Sequence, residues 1–249
     1  MTPVSMRRMT LLVALVALGC QSKPEGKEPA PEASAAPEAK ASTTKPREKK
    51  AAKEYPAAEA FTLKPLAVGQ WIRIAVEPKG APPSQVFVRI VGKEGEAFWY
   101  EIEQNTPSGT SISQFLVDNA ASKGFDKNAV RKLRTKLDSG PVQEPSEPQA
   151  ILDAAKAVEA YAAILAPPPD FTKAERKDAK VTAGLFQGCF MYEAEQDQIG
   201  QASKAKETVF RHPAVPITGF VRSEGTQSSG TPVTKELLEM HEAGAKSAL

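Results

Sequence analysis

Few side chains in this 249-residue sequence could do nucleophilic or metal chemistry: two cysteines, Cys20 and Cys189, and two histidines, His212 and His241. That count excludes a disulfide framework, a multi-thiolate metal cluster and a multi-histidine metal centre. His212 lies between Arg211 and Pro213 at a turn, and His241 lies near the C-terminus. Neither belongs to a Gly-x-Ser-x-Gly elbow or a His-Glu-x-x-His helix. Cys189 would need one of these histidines as its base to act as a nucleophile. It precedes Phe190 and Met191 in an alternating run, the setting of a buried structural thiol. The chain has no phosphate-cradling glycine loop and no internal repeat. The expectation is a protein that is not an enzyme, with no catalytic residues, no cofactor and no metal.

Cys20 stands apart from the other three. Arg7 and Arg8 precede the apolar run Leu11–Leu18, and Gly19 and Cys20 close it. The run is too short for a bilayer-spanning helix of ~20 residues but suits the core of a signal peptide. This arrangement resembles the lipobox of bacterial lipoprotein precursors, with Leu18 where a small residue is commoner. The resemblance implies cleavage between Gly19 and Cys20 and lipidation of Cys20, which makes the membrane the first partner. Several acyl chains at ~0.8 kcal/mol per buried CH₂ hold a protein in a membrane almost irreversibly. Gln21 and Ser22 follow, with no Asp at the position that family rules read as inner-membrane retention. The implied address is the outer membrane, facing the periplasm.

The signal carries two of the thirty-two basic residues and none of the thirty acidic ones, so the remaining chain is formally neutral. Steering toward nucleic acid therefore has no electrostatic basis. Gln21–Ala60 then holds eleven Ala, six Pro, eight Lys or Arg and seven Glu, with Tyr55 the one large apolar side chain. Such a composition buries too little surface to offset chain entropy and reads as a disordered tether. The domains expected are a signal peptide at 1–19, a lipidated cysteine and tether at 20–60, and a globular domain at 61–249.

The globular part reads first as an antiparallel meander. Gln70–Glu77, Gln85–Val91 and Ala97–Glu103 alternate apolar and polar residues between short Gly/Pro turns, and Ser111–Val117 adds a fourth strand. Turns this short cannot join parallel neighbours. The row Phe98-Trp99-Tyr100 could stack nucleobases, but Glu101 and Glu103 beside it favour core packing. Asp126–Leu137 places Val130, Leu133 and Leu137 at helical spacing, with Arg131, Lys132, Arg134 and Lys136 as its wet face, while its far end is also compatible with a strand. Ser146-Glu147-Pro148-Gln149 is a capping box, after which Ile151, Ala155, Val158, Ala162 and Leu165 form one stripe, stopped by Pro167–Pro169. That stripe predicts a long amphipathic helix. Strands resume from Val181 through Glu195, and at Lys204–Arg211, Ile217–Glu224 and Thr234–Met240.

The patterns Gly-x-Phe-x-x-Cys at Gly184–Cys189 and Val-Pro-Ile-x-Gly-Phe-Val-Arg at Val215–Arg222 resemble uncharacterised Gram-negative lipoproteins. These in turn are similar to the half-barrel sheets of LolA- and LppX-like lipid-handling proteins. The resemblance implies an α+β fold in which a curved, half-barrel-like antiparallel sheet carries the one long helix. It also suggests an apolar ligand held between small helix residues, Ala155 and Ala162, and the strand residues Phe98, Tyr100, Ile102, Phe190 and Tyr192. The alternative function is non-catalytic: an interaction or structural lipoprotein that engages an envelope protein through sheet edges or the Lys/Arg-rich middle segment.

Overall fold

The computed structural model describes residues 53–118, 125–157, 161–196, 205–226 and 230–249, all within one compact unit spanning 49–249. The signal peptide, Gly19, Cys20, the tether as far as residue 52, and Val158 lie outside the described residues. The described chain is dominated by one sheet of eleven strands. After β1 (Glu54–Tyr55), the first meander comprises β2 (Trp71–Pro78), β3 (Ser84–Glu94), β4 (Ala97–Thr106), β5 (Gly109–Val117) and β6 (Val130–Leu137). The second comprises β7 (Glu175–Val181), β8 (Gly184–Gln196), β9 (Ala205–Arg211), β10 (Phe220–Thr226) and β11 (Pro232–His241). The two meanders join where β11 pairs antiparallel with β2, from Val233 opposite Pro78 to His241 opposite Trp71. β6 ends the sheet on one side; at the other end β8 pairs with both β1 and β7.

Alternation is what builds the core. Ile72, Ile74 and Val76, Val86, Val88 and Ile90, and Phe98, Tyr100 and Ile102 occupy alternate positions on three neighbouring strands and share one face. All are buried in a single apolar cluster that continues into Phe186, Val209 and Leu237 of the second meander. β8 carries a bulge: Phe186 opposes Ala179 while Cys189 opposes Lys177, an extra residue absorbed where Gly188 adopts φ +59°. The bulge turns Phe186 and Cys189, three residues apart, into the same cluster. The turn joining β7 to β8 meets β11, with the Ala183 N–H donating to the Leu237 carbonyl at 3.2 Å and Thr182 donating to Glu236.

Three expectations are corrected. The fold is not a half-barrel carrying one long amphipathic helix. It is a large open sheet whose crossover between meanders holds two short helices, α1 (Pro148–Ala157) and α2 (Ala162–Leu165). α1 starts at Pro148, a position where the missing N–H of proline costs no intrahelical bond. No single stripe runs through both helices, because α2 buries Ala163, Ile164 and Leu165 in succession. That is possible because the Arg211 guanidinium takes up carbonyls at its end, donating to Ala163 O at 3.1 Å and Ala166 O at 2.9 Å. Second, Asp126–Leu137 is a strand rather than a helix. A 3₁₀ turn at Lys127–Ala129, capped by Asp126, leads into β6, which pairs with β5 from Val117 to Ser111.

Third, the fold begins before residue 61. Glu54 and Tyr55 pair in parallel with Leu185 and Phe186, and the Tyr55 ring stacks on Phe186 at 4.3 Å. The strap Lys53–Phe61 lies over glycines that leave it room. A Cβ at Gly184 would stand 2.3 Å from the Lys53 carbonyl, and one at Gly219 would stand 2.6 Å from the Phe61 ring.

Candidate functional site

The expected ligand-facing residues are spread over β4, β8, α1 and α2, and Tyr192 packs against the same apolar cluster as Phe98, Tyr100, Ile102 and Ala155. Phe98, Tyr100, Ile102 and Ala155 are buried in the apolar cluster. Phe190 and Tyr192 lie on β8 in the other meander, where Phe61 and Phe171 pack against Phe190 at 5.3 and 5.2 Å and the Arg176 guanidinium covers it at 3.4 Å. Ala162 opens α2, and its side chain is outside the described residues. Phe98, Trp99 and Tyr100 are all buried, so this aromatic row packs core on both faces of β4. The Tyr100 hydroxyl is buried without a hydrogen-bond partner, and burial pushes its pKa well above the usual phenol value.

Cys189 is fully buried with its thiol against the Phe186 carbonyl at 3.5 Å, and burial pushes its pKa up to about 12. A thiol so shielded is a poor nucleophile. His241 stacks on Trp71 at 4.5 Å and bonds Glu239 at 3.0 Å, while Glu239 also holds Arg73 at 2.9 Å. His212 serves the strap: its Nε2 lies 3.0 Å from the Pro56 carbonyl and its Nδ1 accepts the Ala214 N–H at 3.2 Å. Among the described residues no group of three or more His, Cys, Asp or Glu is placed to hold a metal ion.

Among the described residues, β6 combines basic side chains with an exposed apolar end. Its residues alternate, with Leu133 buried inward and Lys132, Arg134 and Lys136 on the opposite face. Each of three basic side chains meets a local acid: Arg131 bonds Asp118, Lys132 bonds Glu94 at 2.7 Å, and Arg134 bonds Glu144 at 2.8 Å. Lys132, together with the Trp99 indole N–H at 3.0 Å, holds the Glu94 carboxyl below its ordinary pKa. The Arg134 guanidinium lies 4.6 Å over the Trp99 ring. At the far end of the strand Leu137 is 68% exposed, and across the following turn Val142 is 44% exposed. That turn is fixed by Asp138, at φ +48°, whose carboxylate accepts the Thr110 N–H at 2.8 Å. Gly109 permits the approach, since a Cβ there would sit 2.4 Å from the Asp138 carboxylate. The turn brings Gln143 back to pair with Thr135 through both main-chain bonds, 2.9 and 2.8 Å. An extended segment thus already pairs with this edge at one point, beside two exposed apolar side chains.

Three buried polar arrangements were not anticipated from the sequence. Arg211 is fully buried and its guanidinium is satisfied by carbonyls: Thr218 O at 2.7 Å, Ala163 O, Ala166 O, and the Tyr192 hydroxyl at 3.1 Å. Glu101 is fully buried on the opposite face and accepts from Arg89, Gln114, Ser247 and the Ala248 N–H at 2.7–3.0 Å. Lys235 and Glu207 form a buried ion pair at 2.5 Å, joined by Ser223 at 2.8 Å. The only signal in sequence is a charged residue at an inward position of an alternating strand, as for Lys235 between Val233 and Leu237.

No family model matches the chain, and no curated protein matches it. Solved structures similar to it include a hypothetical protein from Chlamydia trachomatis, at 10% identity and TM-score 0.43, covering 73% of this chain and 90% of that one. A candidate exported protein with a YmcC-like fold from Bacteroides fragilis matches at 10% identity and TM-score 0.36, covering 73% and 100%. A candidate lipoprotein from Parabacteroides distasonis matches at 12% identity and TM-score 0.32, covering 71% and 97%. Likenesses this weak carry no argument about the present chain. None of the three is described as LolA- or LppX-like.

Proposed function

We propose that this is a non-catalytic, lipid-anchored protein of the bacterial cell envelope, held in the outer membrane through Cys20, whose domain engages an envelope protein through the β6 edge. The observation that carries the second half is the edge itself: an outer strand, with exposed Leu137 and Val142 at its end and a segment of its own chain pairing there at Thr135. An edge strand presents main-chain donors and acceptors that favour an extended partner segment. The local ion pairs leave no strong field, so shape and main-chain pairing would dominate over charge steering. A photo-crosslinker at Leu137 is expected to give a discrete envelope adduct that is absent when it is placed at exposed Val68. The double variant Leu137→Glu/Val142→Glu should abolish that adduct when the crosslinker stands at Lys136, with thermal stability unchanged. Equal adducts from positions 137 and 68 would contradict the edge as the contact.

A second reading, an internal apolar ligand, is favoured by the Tyr100 hydroxyl, a buried donor with no protein partner. Tyr100→Phe separates the two. In a dry core it removes an uncompensated polar group and raises stability by about 1 kcal/mol, or roughly 2–4 °C in Tm. Where a bound molecule accepts from the hydroxyl, the same change lowers Tm and weakens binding of a fluorescent fatty-acid analogue. The burial of Phe98, Tyr100 and Ile102 in the apolar cluster favours the first outcome.

A further inference from the structure

We infer that the strap Lys53–Phe61 is an acid-releasable clasp and that His212 is the group through which pH opens it. The strap is held at four kinds of contact. Lys53 O accepts the Leu185 N–H at 2.9 Å, Tyr55 stacks on Phe186, Ala58 O and Glu59 O accept from Arg176 at 2.8 and 2.9 Å, and Pro56 O meets His212. His212 is the contact that changes with protons. Its Nδ1 already accepts the Ala214 N–H, so Nε2 must carry the hydrogen that bonds Pro56, and the ring is the neutral Nε2–H tautomer. A second proton has to go on Nδ1. There it meets the Ala214 N–H, donor against donor, and the acceptor is lost.

The surroundings do not welcome the charge either. Phe186 lies edge-on to the imidazole at 5.5 Å, and the His212 N–H is tied to the Gly219 carbonyl at 2.7 Å. The ionisable groups on β7 are Glu175, Arg176, Lys177, Asp178 and Lys180, those on the strap are Lys53, Glu54, Tyr55 and Glu59, and Arg211 is next in sequence; of these the Arg176 charge acts on the imidazole. Burial holds the His212 pKa below its ordinary value, the Pro56 carbonyl pulls the other way without offsetting it, and the Arg176 charge adds to the lowering. The sign follows. An imidazole freed into water takes its proton first, near its unperturbed ~6.5, so the clasp is fully stable above that pH and loses stability as pH falls below it. Arg176, which clamps the Ala58 and Glu59 carbonyls of the strap, is repelled by the same event. Opening would bare the glycine-lined run of β8 and the Phe186 and Phe190 rings, which the strap covers through Tyr55 and Phe61.

Hydrogen exchange of the full chain, read on peptides spanning 53–61 and corrected for intrinsic rates, tests this between pH 7.5 and 5. The expected opening equilibrium rises as pH falls below ~6.5, with a limiting slope of about tenfold per pH unit, and levels off once His212 protonates in place. His212→Gln, whose amide can still donate to Pro56, should flatten that dependence, and His241→Gln should leave it intact. Strap opening independent of pH, or the same dependence in His212→Gln, overturns the proposal. Should His212→Gln fail to fold, NMR titration of the His212 imidazole in the wild-type chain decides: a midpoint below 6.5 sustains the clasp, and one at or above it refutes it.

Discussion

Replacing Arg211 with methionine is expected to destabilise the domain by about 3–5 kcal/mol, which for this size is on the order of 10 °C in Tm. The guanidinium is buried, and carbonyls of Thr218, Ala163 and Ala166 and the Tyr192 hydroxyl compensate it. Burial lowers its pKa from the usual arginine value, yet an arginine keeps its charge in proteins. Methionine fills much of the same volume but leaves three carbonyls without these donors in a water-poor interior, each worth about 1–3 kcal/mol. Lysine is expected to recover little of the loss, because a single ammonium lacks the planar fork that reaches acceptors on three segments. Urea denaturation of the three proteins measures this. A loss under 0.5 kcal/mol for Arg211→Met would show that α2 does not depend on this anchor.

The second large effect concerns the buried pair on β9 and β11. Lys235→Met takes the ammonium from a Glu207 carboxylate that lies 2.5 Å away in the core, with Ser223 donating to its other oxygen. Breaking one side of a buried pair costs about 3–5 kcal/mol, because the remaining charge keeps its desolvation penalty. Removing both charges is a different matter, since well-packed apolar replacements of a buried pair are often neutral or stabilising. The double variant Glu207→Leu/Lys235→Met is therefore expected to stand well above the single Lys235→Met in stability, a strong non-additivity that urea midpoints would resolve. Additive losses would mean that the two side chains act independently.

Strands β2 to β5 of the first meander were legible because Ile72, Ile74, Val76 and their counterparts alternate under simple period-two burial. β7 was not, since Glu-Arg-Lys-Asp-Ala-Lys-Val buries only Ala179 and Val181, and its extension comes from pairing with β8. β6 misled for a related reason. Val130, Leu133 and Leu137 fit a helical stripe, but the strand buries only Leu133 deeply, and Leu137 is left outside. The long helix rested on a stripe through Val158 and Ala162, whereas α2 buries three successive residues under Arg211, an arrangement set by tertiary contacts and invisible to periodicity. The strap was lost inside a forty-residue composition average. One ring, Tyr55, and a row of carbonyls suffice to dock it where glycines give space. The candidate edge was named in sequence as a basic segment and as a sheet edge separately; only the register of β5 with β6 makes them one place.

Membrane attachment through Cys20 is the central claim, and fractionation of the Cys20→Ser full chain tests it most directly. No helix among the described residues is long and apolar enough to cross a membrane. The wild-type protein is expected to incorporate labelled fatty acid and to stay with the outer membrane through a high-salt wash. Cys20→Ser should incorporate none and appear as soluble or uncleaved protein. Cys20→Ser that still fractionates with the outer membrane after the wash would contradict lipid anchoring.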